Sequence, residues 1–276
     1  MEIFPVYGAI VSEIYLDKYF NDAQGLLDGL NAQVIALNSE RKAADKIPPY
    51  VLDDLNKVAF WQATGSGKTL IMHVNILQYR QYLEKAGKHA TVNRIILLTP
   101  NEGLSEQHNC EFKLSSIPAD IFSKESGSLY AGQEISIIDI HKLKEEGREK
   151  TVSVDAFESN NLVLVDEGHR GAGGEEWMDK RNRLCAEGFS FEYSATFGQA
   201  MKASGRKDML QQYAKCILFD YSYKYFYGDG YGKEYSILNL AEEQHEEQRQ
   251  LYSQQIAKMD IAQGRDAETI RKRMKQ

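Results

Sequence analysis

From position 58 onward the chain alternates short apolar runs with longer polar or helically spaced stretches. The runs lie at 58–61, 94–98, 134–138, 161–165, 189–193 and 216–219. Short apolar runs of this length suit strands covered on both faces, and the stretches between most of them are long enough for crossover helices. The pattern predicts an α/β fold: a mostly parallel sheet with helices on both faces. After the first run, Leu70, Ile71, Val74 and Leu77 recur at helical spacing and predict the buried face of a helix. Upstream, Asn21 and Asp22 are capping candidates for a helix within 21–45. Leu26, Leu30, Val34 and Leu37 would form its apolar face despite Gly25 and Gly29, and Pro48 and Pro49 would end the region. Residues 221–240 are aromatic-rich around Gly228-Asp-Gly-Tyr-Gly232, which fits either a hairpin turn or an ordered linker. The tail 241–276 carries seven acidic residues, seven basic residues and seven glutamines with a thin apolar stripe, so a solvated helix or coiled pair is expected there.

Composition narrows the setting. With 276 residues and 42% hydrophobic content the chain can hold one large domain or two small ones. No segment approaches the roughly 18 apolar residues of a membrane span. Residues 3–16 are apolar-rich, but Glu13 interrupts them and neither a basic n-region nor a small-residue cleavage site accompanies them. A cytoplasmic location is therefore expected. Cys110, Cys185 and Cys216 are an odd number, widely spaced and without a CxxC pair, which argues against a disulfide framework or zinc site and predicts buried, reduced thiols. The formal charge of −7 restricts any nucleic-acid contact to local patches, since such affinity rests on Lys and Arg neutralising phosphates.

The chemistry concentrates first at Trp61-Gln-Ala-Thr-Gly-Ser-Gly-Lys-Thr69. Gly65 and Gly67 free the backbone of side-chain bulk, so that the N–H groups of Thr64, Gly65, Ser66 and Gly67 can curl around a β-phosphate. Lys68 can reach the β- and γ-phosphates, and the Thr69 hydroxyl can coordinate Mg²⁺. The P-loop pattern begins with a glycine, where this chain has Gln62, so the loop is a variant in an otherwise fitting strand–loop–helix setting. It predicts a nucleoside triphosphate and Mg²⁺ as ligands.

The second site is Leu162-Val-Leu-Val-Asp-Glu-Gly-His-Arg170, an apolar strand that ends in two carboxylates. Ligands of open α/β sheets bind at that edge. Asp166 is expected to hold the magnesium and Glu167 to orient and deprotonate the attacking water. Taken alone an Asp-Glu pair is more readily a solvated turn; 98 positions after Lys68 it no longer stands alone. His169 can connect the nucleotide site to a neighbouring one, or serve simply as a hydrogen-bonding structural histidine. Ser194 and Thr196, at the end of a further strand, can relay the state of the acidic pair, although a plain strand with a Ser/Thr turn predicts the same residues. Thr99 and Asn101, before a helix, can bind a nucleic-acid phosphate, with a capped strand-to-helix loop equally economical.

Taken in order, Ala63–Thr69, Leu98-Thr-Pro100 with Gln107, Asp166-Glu-Gly-His169 and Ser194-Ala-Thr196 resemble motifs I, Ia, II and III of superfamily 2 helicases. Phe60-Trp-Gln-Ala-Thr-Gly-Ser-Gly-Lys-Thr69 and Asp166-Glu-Gly-His-Arg170 resemble in particular the DEAD/DEAH-type motor of Type I and Type III restriction enzyme R subunits, as does Tyr221-Ser-Tyr223 followed by Asp229-Gly-Tyr231. Gly168 stands where many relatives carry alanine. The resemblance covers about residues 55–240. It implies a RecA-like P-loop domain, ATP hydrolysis by Lys68, Asp166 and Glu167, coupling through His169, Ser194 and Thr196, and double-stranded DNA as the track.

The expected division is a helical region over 1–54 packed on the motor domain, a RecA-like ATP-binding domain over 55–220, an exit linker or hairpin over 221–240, and a helical extension over 241–276. Only 80 residues follow Thr196, and they contain no arginine-bearing motifs of a second RecA-like domain. By the resemblance that domain, a nuclease and methyltransferase or specificity partners would come from elsewhere, leaving this chain to bind ATP weakly and hydrolyse it slowly. The rival readings are an RNA helicase, another P-loop ATPase, or a non-catalytic binding module on the same fold. No Asn-Lys-x-Asp or Leu-Ser-Gly-Gly run supports a GTPase or an ABC-type ATPase.

Overall fold

The computed structural model describes residues 4–43, 46–88, 91–122, 135–143, 152–167, 174–198 and 215–232. Within them lie strands β1 (Lys57–Gln62), β2 (Arg94–Thr99), β3 (Ala119–Ile121), β4 (Ile135–Asp139), β5 (Asn161–Asp166), β6 (Phe189–Ser194) and β7 (Ile217–Tyr221). They form one sheet in the order β3-β4-β2-β5-β6-β1-β7. Every pairing is parallel, so all the strands end at one edge. The principal helices are α1 (Phe4–Asn21), α2 (Ala23–Ser39), α3 (Lys68–Lys85), α4 (Glu102–Leu114) and α5 (Gly174–Leu184).

Alternation within the strands divides the core. Val58, Phe60, Leu97, Ile137, Leu164, Phe191 and Tyr193 pack with Leu16 of α1, Ile71, Met72 and Ile76 of α3 and Phe112 of α4. On the other face Ile96, Leu98, Ile138, Val163 and Val165 meet Val154, Phe157 and Leu184. Both layers are largely apolar because neither face of these strands reaches water, which is why most of the strands read as apolar-rich runs in the sequence.

Several details depart from the sequence reading. In α3, Ile71 is buried, but Leu70 and Leu77 are half-exposed, and the inward face is Ile71, Met72, Asn75, Ile76, Tyr79, Tyr82 and Leu83. Polar and aromatic residues fill much of that face: Asn75 Nδ2 donates to Tyr193 Oη at 2.8 Å, and Tyr82 Oη donates to Glu13 of α1 at 2.8 Å. In α2, Val34 is buried and Leu37 exposed, while Asp22 caps the helix by accepting from Gly25 N. Cys185 and Cys216 are buried, and burial pushes both thiols up, but Cys110 is exposed on the outer side of α4, contrary to expectation. Residues 223–228 form a short helix, Tyr223–Gly228, in place of a strand of a hairpin. The tail 241–276 lies outside the described residues, and no described helix is long and apolar enough to cross a membrane.

His73 of α3 gives the fold a pH dependence. It is buried, stacked on Phe112 with ring centroids 4.4 Å apart, and its Nδ1 lies 2.9 Å from Ser115 Oγ. Burial, reinforced by the nearby His108, pushes its pKa down. The unfolded chain therefore binds the proton more readily, so this contribution is complete above the unfolded value of about 6.5 and is lost as pH falls from there towards the folded value. Urea midpoints measured between pH 7.5 and 5 are expected to fall across that window in the wild type, and to fall less in His73→Gln.

Candidate functional site

Three neighbouring strand tips build the site. In the sheet β6 lies between β5 and β1, so the segments that follow Asp166, Ser194 and Gln62 emerge side by side at the C-terminal edge. Beyond β1 the loop turns at Gly65 (φ 85°) and Gly67 (φ 92°), both in the left-handed region that favours glycine. Gly67 is also the N-cap of α3, and a Cβ there would lie 2.6 Å from Pro5 Cγ of α1, so no side chain fits. Ser66 folds the loop back, its N–H and hydroxyl both donating to Ala63 O, at 3.2 and 2.8 Å. Thr64 and Gly65 are exposed, and Thr69 is half-buried in the first turn of α3. Gln62 is fully buried, and its amide has no hydrogen-bond partner among the described residues.

Lys68, on the first turn of α3, sets its Nζ 3.3 Å from Glu167 Oε1. Glu167 is buried and has φ 52°, a conformation that costs a non-glycine residue free energy and persists only where its surroundings hold it. Two contacts hold it: its N–H donates to Tyr193 O at 2.9 Å, and Ser194 Oγ donates to its Oε2 at 3.3 Å. Thr196 N in turn donates to Ser194 Oγ at 3.0 Å. Lys68, Glu167, Ser194 and Thr196 are thus one connected group. Asp166 is buried beside it, with Oδ2 2.9 Å from His108 Nε2. His169 falls outside the described residues.

The sequence reading missed two members of this region. Trp61 Nε1 donates to Ala195 O at 3.1 Å, and its ring meets Phe197 edge-on, so the strand before the loop is tied to the Ser194–Thr196 segment. His108 left one signal, its place among Ser105, Asn109 and Phe112 on the buried face of α4. Thr99, expected as a nucleic-acid contact, is turned inward. Its hydroxyl is fully buried, 2.7 Å from Ser105 Oγ, and fastens β2 to α4. Asn101 is exposed and caps α4 by accepting from Leu104 N at 2.9 Å.

The donor set suits a hard, oxygen-seeking cation held jointly with phosphate: two adjacent carboxylates and a threonine hydroxyl, with no cluster of three or more His, Cys, Asp or Glu among the described residues that would cage a metal alone. Lys68 and the N-terminus of α3 supply positive charge for an anion at the same edge.

Comparison with known proteins places this arrangement. No curated protein matches the chain. Among solved structures it is similar to the crystal structure of T4 UvsW, at 14% identity and a TM-score of 0.39, over 84% of this chain and 49% of that one. The chain thus spans about half the length of that structure. The profile described as "Type III restriction enzyme, res subunit" matches residues 27–199, more than half of the sequence and the whole of the site above. The chain therefore belongs to the Type III restriction enzyme res subunit family and carries its helicase-type module.

Proposed function

We propose that this chain is the ATP-binding half of an ATP-dependent DNA translocase or helicase, a cytoplasmic motor of a restriction-type defence system acting on double-stranded DNA. The observation that carries the reading is the connected group Lys68, Glu167, Ser194 and Thr196 at three adjacent strand tips. In this reading the RecA-like domain runs over 55–220, the helical region 1–54 braces it, and the segment from 221 leads toward a second RecA-like domain. Nuclease and methyltransferase or specificity functions belong to partners.

Each side chain has a role that its position allows. The N–H groups of residues 64–67 and the Lys68 ammonium hold the triphosphate. Thr69 and Asp166 would hold Mg²⁺, which when bound neutralises charge that builds on the phosphates. Glu167 orients a water and accepts its proton as the oxygen attacks the terminal phosphorus and ADP leaves. Ser194 touches Glu167 and is continuous with Thr196, so a change in what Glu167 binds is felt along β6 and, through Ala195, by Trp61. His169 completes the coupling set. With an overall charge of −7, the DNA contacts are confined to the strand-end edge, with Asn101 among them.

Lys68→Ala tests the reading. Loss of a charged contact to phosphate is worth roughly 1.5–3 kcal/mol, so affinity for a fluorescent ATP analogue should fall about 10- to 100-fold. Equal affinity in wild type and variant, measured by titration, would remove the nucleotide site from this loop.

A further inference from the structure

We infer that His108 is a positioning residue for Asp166, fixing the carboxylate that receives magnesium; this rests on the nucleotide-site reading above. The imidazole Nε2 lies 2.9 Å from Asp166 Oδ2. A carboxylate in this geometry only accepts, so Nε2 carries the proton and donates. Among the described residues His108 is the one hydrogen-bond partner of the Asp166 side chain. Both groups are buried, where water cannot substitute for a lost donor.

The imidazole is held as a positioning group should be. It projects from α4 at the centre of the buried set Ser105, His108, Asn109 and Phe112. The start of α4 is fastened to β2 by the Thr99–Ser105 hydroxyl pair, and Phe112 is stacked against His73. Behind the ring, Nδ1 lies 3.8 Å from Glu111 Oε2, too long for a hydrogen bond, so Asp166 is the partner that orients the imidazole. With Oδ2 engaged by the imidazole, the plane of the carboxylate that would hold the ion is set in advance. Partners of this kind, one step out from a metal ligand, typically change metal affinity 10- to 100-fold when removed.

The test measures nucleotide binding rather than turnover. A fluorescent ATP analogue is titrated into wild type, His108→Leu and His108→Gln, at increasing Mg²⁺ and separately in EDTA. His108→Leu keeps apolar volume and removes the donor. It should raise the half-saturating Mg²⁺ about 10- to 100-fold while leaving affinity in EDTA within about two-fold. His108→Gln, whose amide also donates, should return to within a few-fold of wild type. Should the leucine variant fail to fold, His108→Asn, with the donor too short to reach, takes its place beside the glutamine variant. Wild-type Mg²⁺ dependence in a folded donor-less variant overturns the positioning role and leaves the nucleotide site standing. So does an affinity loss of equal size with and without Mg²⁺ that glutamine does not rescue, which marks a packing role. A wild type without any Mg²⁺-dependent nucleotide binding overturns the nucleotide-site reading and this inference together.

Discussion

Glu167→Gln is expected to lower the rate of ATP hydrolysis by about 10²- to 10⁴-fold while nucleotide affinity stays within a few-fold of wild type. The amide has nearly the shape of the carboxylate and still accepts from Ser194 Oγ, and the unusual backbone at φ 52° is untouched because it is anchored through the Glu167 N–H to Tyr193 O. What disappears is the group able to take a proton from water, together with the charge facing Lys68 at 3.3 Å. Loss of that charge releases the ammonium for phosphate, so binding should hold or tighten. Single-turnover hydrolysis resolves even a slow basal rate, and a parallel titration reports affinity. Hydrolysis within a few-fold of wild type would assign the proton transfer to another residue. Loss of binding comparable to hydrolysis would make Glu167 a structural strut for Lys68.

The sheet was legible because burial on both faces writes itself as apolar-rich runs. β1, β2, β5 and β7 carry such runs, β4 is broken by Ser136 and β6 by Ser190 and Glu192, and β3 is the three residues Ala119–Ile121, too short and too polar to stand out. The strand-end carboxylates and the glycine-bearing loop were legible for a chemical reason: few other sequences place an ammonium, a hydroxyl and φ-positive glycines in consecutive positions. Helix faces were less so. Aliphatic residues alone define the α3 stripe in the sequence, while the actual inward face includes Asn75, Tyr79 and Tyr82, with Asn75 Nδ2 and Tyr82 Oη finding partners across the core. Contacts spanning long separations were invisible in principle. Nothing local to Trp61 announces a bond to Ala195, 134 positions away, and nothing local to His108 announces Asp166, 58 positions away. Thr99 shows the converse: a small hydroxyl residue at a strand end looks available in the sequence, whereas in the fold its hydroxyl is buried against Ser105.

Below the site, β6 carries a second charged group whose removal should be costly. Glu192 lies two residues before Ser194, on the sheet face opposite Tyr193, and pairs with Arg181 of α5; both side chains are buried. Removing one partner strands the other charge in a medium that solvates it poorly, so Arg181→Ala should destabilise the domain by about 3–5 kcal/mol. Replacing both by apolar residues of similar length, Arg181→Met with Glu192→Met, removes the desolvation penalty along with the attraction and should be neutral or stabilising by about 1–4 kcal/mol. The pair is open to that exchange because Arg181 Nε has no hydrogen-bond partner among the described residues, so the guanidinium is incompletely satisfied. Urea denaturation of Arg181→Met, Glu192→Met and the double variant closes a thermodynamic cycle, with Arg181→Ala measured beside it. A double variant as unstable as Arg181→Ala would show that the ion pair is a net contributor to folding. A stable double variant that still binds nucleotide but loses the Ser194–Glu167 coupling would assign the pair to holding β6 in register with the site.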